Sequence, residues 1–188
     1  MRHLTTVTED RIVVLPRLGD RSIVAKPSVL LRVLPGGEGQ IYVSTPIWFS
    51  VQTKSGLSLI DVPWQRPSDS WFGPSTRTGE LCYAKYTDAR LIYDNIEHHA
   101  HRAVTPIKII NRHEQAFAIE SINVPVPLLN LYQSQLNYLW TQPLTIVRES
   151  DDSNIETEIK EALANESIGA TLLTEARDIS EKKPWLEA

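Results

Sequence analysis

The chain has 188 residues, 41% of them apolar and 22% charged, with a net charge of −4. That length supports a core hiding roughly 70% of the unfolded surface, and the acidic balance removes any global pull toward nucleic acid or an anionic membrane. A single cysteine, Cys82, excludes an internal disulfide. With no apolar run of signal-peptide or membrane-spanning length, the expectation is a cytoplasmic protein without a transmembrane segment.

From about residue 10 to 149, short β-branched runs alternate with turn residues. Strands are expected over 11–15, 29–34, 40–52, 57–61, 80–86, 90–93, 105–110, 115–124, 128–132 and 141–149. Between them stand turn signals such as Gly19-Asp20, Pro35-Gly36-Gly37, Ser55-Gly56 and Gly73-Pro74. Many short strands so punctuated read as a mainly β fold, an antiparallel β-sandwich of immunoglobulin-like or jelly-roll-like kind, over residues 1–149. Pro46, Pro106 and Pro143 belong at edges or bulges, where no ladder N–H is required. Residues 107–127 read as a hairpin, two apolar runs around the polar tetrad Asn111–Glu114. After Glu149 the polar SDDSN offers helix caps, and Ile155, Ile159, Ala162 and Leu163 recur at helical spacing. A helix is expected over 154–166, then a second short one with Leu172 and Leu173. Residues 150–188 thus form a helical, partly flexible C-terminal tail, whose Trp185 and Leu186 suggest docking on this domain or on a partner.

The long connection 62–78 is the best recognition candidate. Trp64, Trp71 and Phe72 could form a platform for a sugar, a base or a peptide, with Arg66 and Arg77 supplying charged donors. The plain structural alternative is a loop that folds back, its tryptophans sealing one end of the sandwich.

The cluster Glu97-His98-His99-Ala100-His101 is the densest set of potential metal ligands. An extended backbone puts His99 and His101 on one side and His98 on the other. The alternative function is therefore a small metal-dependent enzyme using His98, His99 and His101, with His113 or Glu97 as further ligands. Cys82, mid-strand between Leu81 and Tyr83, reads as a core thiol, since a reactive thiolate needs an electropositive, accessible setting. No phosphate-cradling glycine motif or nucleophile elbow is present.

Three segments carry a family resemblance: residues 41–51 (IYVSTPIWFSV), 73–90 (GPSTRTGELCYAKYTDAR) and 105–125. The turn Val43-Ser44-Thr45-Pro46-Ile47, the spacing of Gly73, Cys82 and Tyr86, and the third apolar block resemble domain-of-unknown-function family 432, small archaeal and bacterial proteins. The resemblance spans residues 28–149, leaves the tail unmatched, and departs from the family pattern at Pro74-Ser75. It implies a prokaryotic origin and supplies no catalytic residues. The functional expectation is a non-enzymatic binding or interaction module for an unknown protein or small ligand, acting through loop 62–78 or the tail. It uses no cofactor, binds no nucleic acid and has edges suited to a homo-oligomer.

Overall fold

The computed structural model describes residues 11–27, 30–65, 67–73, 75, 77–89, 96–150 and 155–178. At its centre lies β9 (Arg102–Asn111). Ala103, Thr105, Ile107, Ile109 and Asn111 are wholly buried on one face, and Lys108 on the other face is exposed. The antiparallel strand β4 (Glu38–Pro46) follows one edge of β9 along its whole length. The other edge is shared end to end by two parallel strands, β13 (Leu139–Thr141) and β14 (Leu144–Arg148). Pro106 is therefore not at a sheet edge. Pairing with β13 stops at Val104 and pairing with β14 starts at Ile107. The residue without an N–H falls in the gap between two partners, where its missing donor costs little. In that gap the buried hydroxyls of Thr105 and Thr141 lie 2.9 Å apart.

Beside β13 lies β12 (Leu131–Gln133), then β16 (Thr171–Thr174); beside β14 lies β15 (Ile155–Ile159). Here the expected helical tail is corrected to strand. The sequence IETEI satisfies a helical i, i+4 spacing and a strict alternation equally well, so periodicity alone does not decide. The open edge of β14 decides it. Register from Leu144↔Ile159 to Arg148↔Ile155 lays Ile155 and Ile159 against the core and leaves Glu156 and Glu158 exposed. A free helix of a dozen residues is marginal in water, whereas a strand here gains a ladder and a buried face. Leu172 and Leu173 likewise lie in β16, antiparallel to β12. Among the described residues the helical elements are two 3-10 turns, Val126–Leu128 and Asn165–Ser167.

Three smaller sheets complete the mainly β architecture: β11 (Ile122–Val124), β2 (Ile23–Pro27), β8 (Glu80–Ala89) and β7 (Ser68–Phe72); β10 (Phe117–Ile119) with β3 (Leu31–Val33); and β1 (Ile12–Arg17), β5 (Trp48–Thr53) and β6 (Ser58–Pro63). The expected hairpin over 107–127 is not formed, because β9 and β10 pair with different strands. Asn111 makes the crossing instead. Its amide nitrogen donates to Val33 O at 3.0 Å and Gln115 O at 2.8 Å, and its oxygen accepts from the His113 N–H at 3.1 Å. The main core joins Ile41, Val43, Ile107, Ile109, Leu144 and Ile146 of the large sheet to Ile23, Phe117, Ile119, Ile122 and Val124. Each such side chain contributes about 1.5–3 kcal/mol by leaving water.

Candidate functional site

The three-stranded sheet β1–β5–β6 obeys a different rule from the core. Antiparallel register sets Leu15, Ser50 and Asp61 in one row and Arg17, Trp48 and Pro63 in the next, all on one face. The opposite face carries Ile12, Val14 and Pro16 from β1, Val51 and Phe49 from β5, and Ile60 and Val62 from β6. One expects the apolar side to turn inward. The reverse is seen for most of its aliphatics, although Phe49 packs against the main core and Val13 on the other face is exposed. Ile12 is 65% exposed, Val14 54%, Ile60 50% and Val62 44%, while Ser50 is fully buried and the Asp61 side chain retains only 20%.

Arg177 explains the inversion. From the segment after β16 it pairs with Asp61, donates through Nε to Leu18 O at 2.7 Å, and lies over the Trp48 ring at 5.7 Å. The end of β16 is fixed by Thr174 Oγ1 donating to Pro16 O, and the segment after it by the Arg177 and Asp178 N–H groups on Pro127 O. Burial pushes the Asp61 carboxyl up, but the hydrogen bonds from Arg177 and Ser50 and the charges of Arg177 and Arg17 outweigh it, so its pKa is lowered. Burial, then the neighbouring Arg177 charge, lowers Arg17.

Trp64 ends the apolar face. It continues the alternation of Ile60 and Val62, donates its backbone N–H to Ile47 O at 3.1 Å, and is 55% exposed. Its ring meets Phe49 edge-on at 5.8 Å and stacks on His101 at 5.1 Å. His101 stacks in turn on His99 at 5.5 Å, and His99 Nε2 lies 3.4 Å from Glu97. His98 points the other way, stacked on Tyr138 at 3.9 Å and inclined to Trp140; burial, then the charge of His99, lowers its pKa. His99 and His101 stack together while His98 faces Tyr138, but residues 99–102 form a turn closed by the Arg102 N–H on His99 O at 3.0 Å, not the extended backbone expected. No group of three His, Cys, Asp or Glu side chains able to hold a metal forms among the described residues.

The other residues of loop 62–78 go elsewhere. Much of that stretch is strand: β6 runs to Pro63 and β7 covers Ser68–Phe72. Arg66 lies outside the described residues. Phe72 is buried with Val24 and Cys82. Trp71 is half exposed but donates Nε1–H to Ser75 O at 2.9 Å and lies so close over Gly79 that a Cβ there would be 2.8 Å from its Nε1. Arg77 is an exposed turn residue whose N–H reaches Ser75 Oγ at 3.3 Å. Trp64, just past the end of β6, and Trp71, in β7, therefore belong to different parts of the fold and share no partner described here. The face itself, with Ile12, Val14, Ile60 and Val62, escapes sequence reasoning. Its signal is the alternation Ile60-Asp61-Val62-Pro63-Trp64, which reads equally well with either side inward. Cys82 is fully buried, and burial, then the Glu80 carboxylate, pushes its thiol up to about 12.

Curled antiparallel and mixed sheets with an apolar outer face on β1–β5–β6 define a mainly β protein. The sequence matches the family described as "Protein of unknown function (DUF432)" over residues 2–187, and the chain belongs to it. The match runs through both ends, beyond the span 28–149 of the resemblance, so the C-terminal strands are part of the family pattern. No curated protein and no solved structure matches significantly. No helix among the described residues is long and apolar enough to cross a membrane.

Proposed function

We propose that this chain is a non-enzymatic binding module: a β-sandwich scaffold offering the outer face of β1–β5–β6, closed by Trp64, to an apolar segment of a protein. The observation that carries this reading is the inverted burial of β6, with Asp61 inside and Ile60 and Val62 outside. Turning those aliphatics inward would gain about 25 cal/mol for each Å² removed from water. Leaving them exposed, beside a tryptophan with a histidine rim, is the pattern of a surface buried on association. Of the recognition residues expected in loop 62–78, this reading keeps Trp64.

The test is capture from native lysate, read by mass spectrometry, with full-length wild type and the Val62→Asp, Trp64→Ala and Trp71→Ala variants. Val62→Asp and Trp64→Ala should lose the same specific protein while Trp71→Ala keeps it, all melting within a few degrees of wild type. Identical capture by all four proteins overturns the reading.

A further inference from the structure

We infer that the outer edge of β1 is a site of self-association, at which two copies of the chain pair Ile12–Val14 antiparallel about a two-fold axis at Val13 and join their three-stranded sheets into one of six strands. Three observations carry this. The first is exposure. Alternation along a strand should bury one of its faces. Ile12 and Val14 are exposed on the outer face, yet Val13, on the opposite face, is 37% exposed too. Three consecutive β-branched residues thus meet water on both sides of an edge strand. Such an edge is a template for another strand.

The second is the direction of the backbone groups. The Trp64 N–H bonds Ile47 O, so Ile47 turns toward β6, and every second residue after it, Phe49 and Val51, turns the same way. Trp48, Ser50 and Gln52 therefore turn toward β1, where they lie opposite Arg17, Leu15 and Val13. The N–H and C=O groups of Ile12 and Val14 and the C=O of Pro16 are left pointing away from β5. The bond from Thr174 Oγ1 to Pro16 O, at 3.0 Å, arrives from that side. Among the described residues no strand pairs with Ile12 or Val14 there.

The third is self-complementarity. Setting Val13 opposite the partner's Val13 sets Ile12 opposite the partner's Val14, and Val14 opposite the partner's Ile12. Each of these two couples exchanges both N–H···O bonds, so every outward group of Ile12 and Val14 is satisfied in both copies. No like charges oppose one another, since Arg11 falls across from the partner's Leu15. The ladder ends at Pro16, which has no N–H and whose carbonyl Thr174 already holds.

A second copy brings this matching register by symmetry, which is why it is the occupant chosen. A ladder so short buries well under the ~800 Å² per partner of a stable dimer, so the association is weak and depends on concentration. Residues opposite one another in an antiparallel pair share a face. The two outer apolar faces therefore become continuous across the axis. The pairing goes beyond the docking reading and does not depend on it.

The experiment is sedimentation equilibrium of the full-length chain from micromolar to millimolar concentration. Wild type should be monomeric at the low end and dimeric at the high end. Val13→Lys and Val13→Glu each set two like charges across the axis and should weaken association several-fold, whereas an equal mixture of the two should recover it. Val62→Asp, on the far strand of the sheet, should associate as wild type does. A wild type that stays monomeric throughout overturns the inference and leaves the edge to an extended segment of another protein. A mixture no tighter than either single variant overturns the register. Loss of association in Val62→Asp also overturns the inference, because it assigns contact to the outer faces. Capture from lysate judges the docking reading separately, through Val62 and Trp64.

Discussion

The large sheet and the small one solve the same problem in opposite ways. Around β9 the inward residues are Ile41, Val43, Ile107, Ile109, Leu144 and Ile146, and stability comes from apolar area withdrawn from water. In β1–β5–β6 the inward residues include Arg17, Ser50 and Asp61, fastened by an arginine from a remote segment, while the aliphatics look outward. The first arrangement maximises burial. The second gives up burial to keep an apolar surface available, and needs a polar clasp to hold the sheet in place. Apolar patterning thus locates faces, and the clasp decides which face is free.

The contrast can be broken by mutation, and the largest effect should lie in the core. Ile107→Ala should cost about 3–4 kcal/mol in urea unfolding, because a wholly buried side chain leaves a cavity beside β9. A loss below about 1 kcal/mol would mean that this sheet is not the principal core. Asp61→Ala comes next, at about 2–4 kcal/mol, since it strands Arg177 in a mostly buried setting. The exposed pair Arg21–Asp69 is the control, with Asp69→Ala costing less than about 1 kcal/mol. Equal effects at the two sites would remove the clasp from the account.

Acid should sharpen the same point. The folded Asp61 carboxyl titrates below its ordinary range, so its contribution is complete above about pH 4 and is lost as pH falls through the lower folded value. The stability gap between wild type and Asp61→Asn, followed by urea midpoints from neutral to strongly acidic pH, should therefore close on acidification. A gap that widens there would show the sign to be wrong. The smallest effect belongs to the outer face, where Val62→Thr should shift stability by no more than about 0.5 kcal/mol. A cost near that of Ile107→Ala would show Val62 to be core and dissolve the comparison. Cys82 gives an independent check on burial: with its thiol raised to about 12, it should resist alkylation in the folded protein at mildly alkaline pH and react once urea unfolds the chain.

Much of this was legible in the residues. The β-branched runs and their turn signals imply a mainly β chain, and Cys82 between strand residues implies a core thiol. These follow from local rules, backbone periodicity and side-chain size, which act within a few residues. Tertiary structure alone decided three things. IETEI became strand because the edge of β14 lay open beside it. Pro106 entered a central strand because β13 and β14 leave a gap opposite it. Most consequentially, Ile60-Asp61-Val62-Pro63-Trp64 fits either orientation by alternation alone, and the partner that draws Asp61 inward lies 116 residues away in the chain. Periodicity along a strand carries no information about so distant a contact, and that contact is what leaves the apolar face exposed.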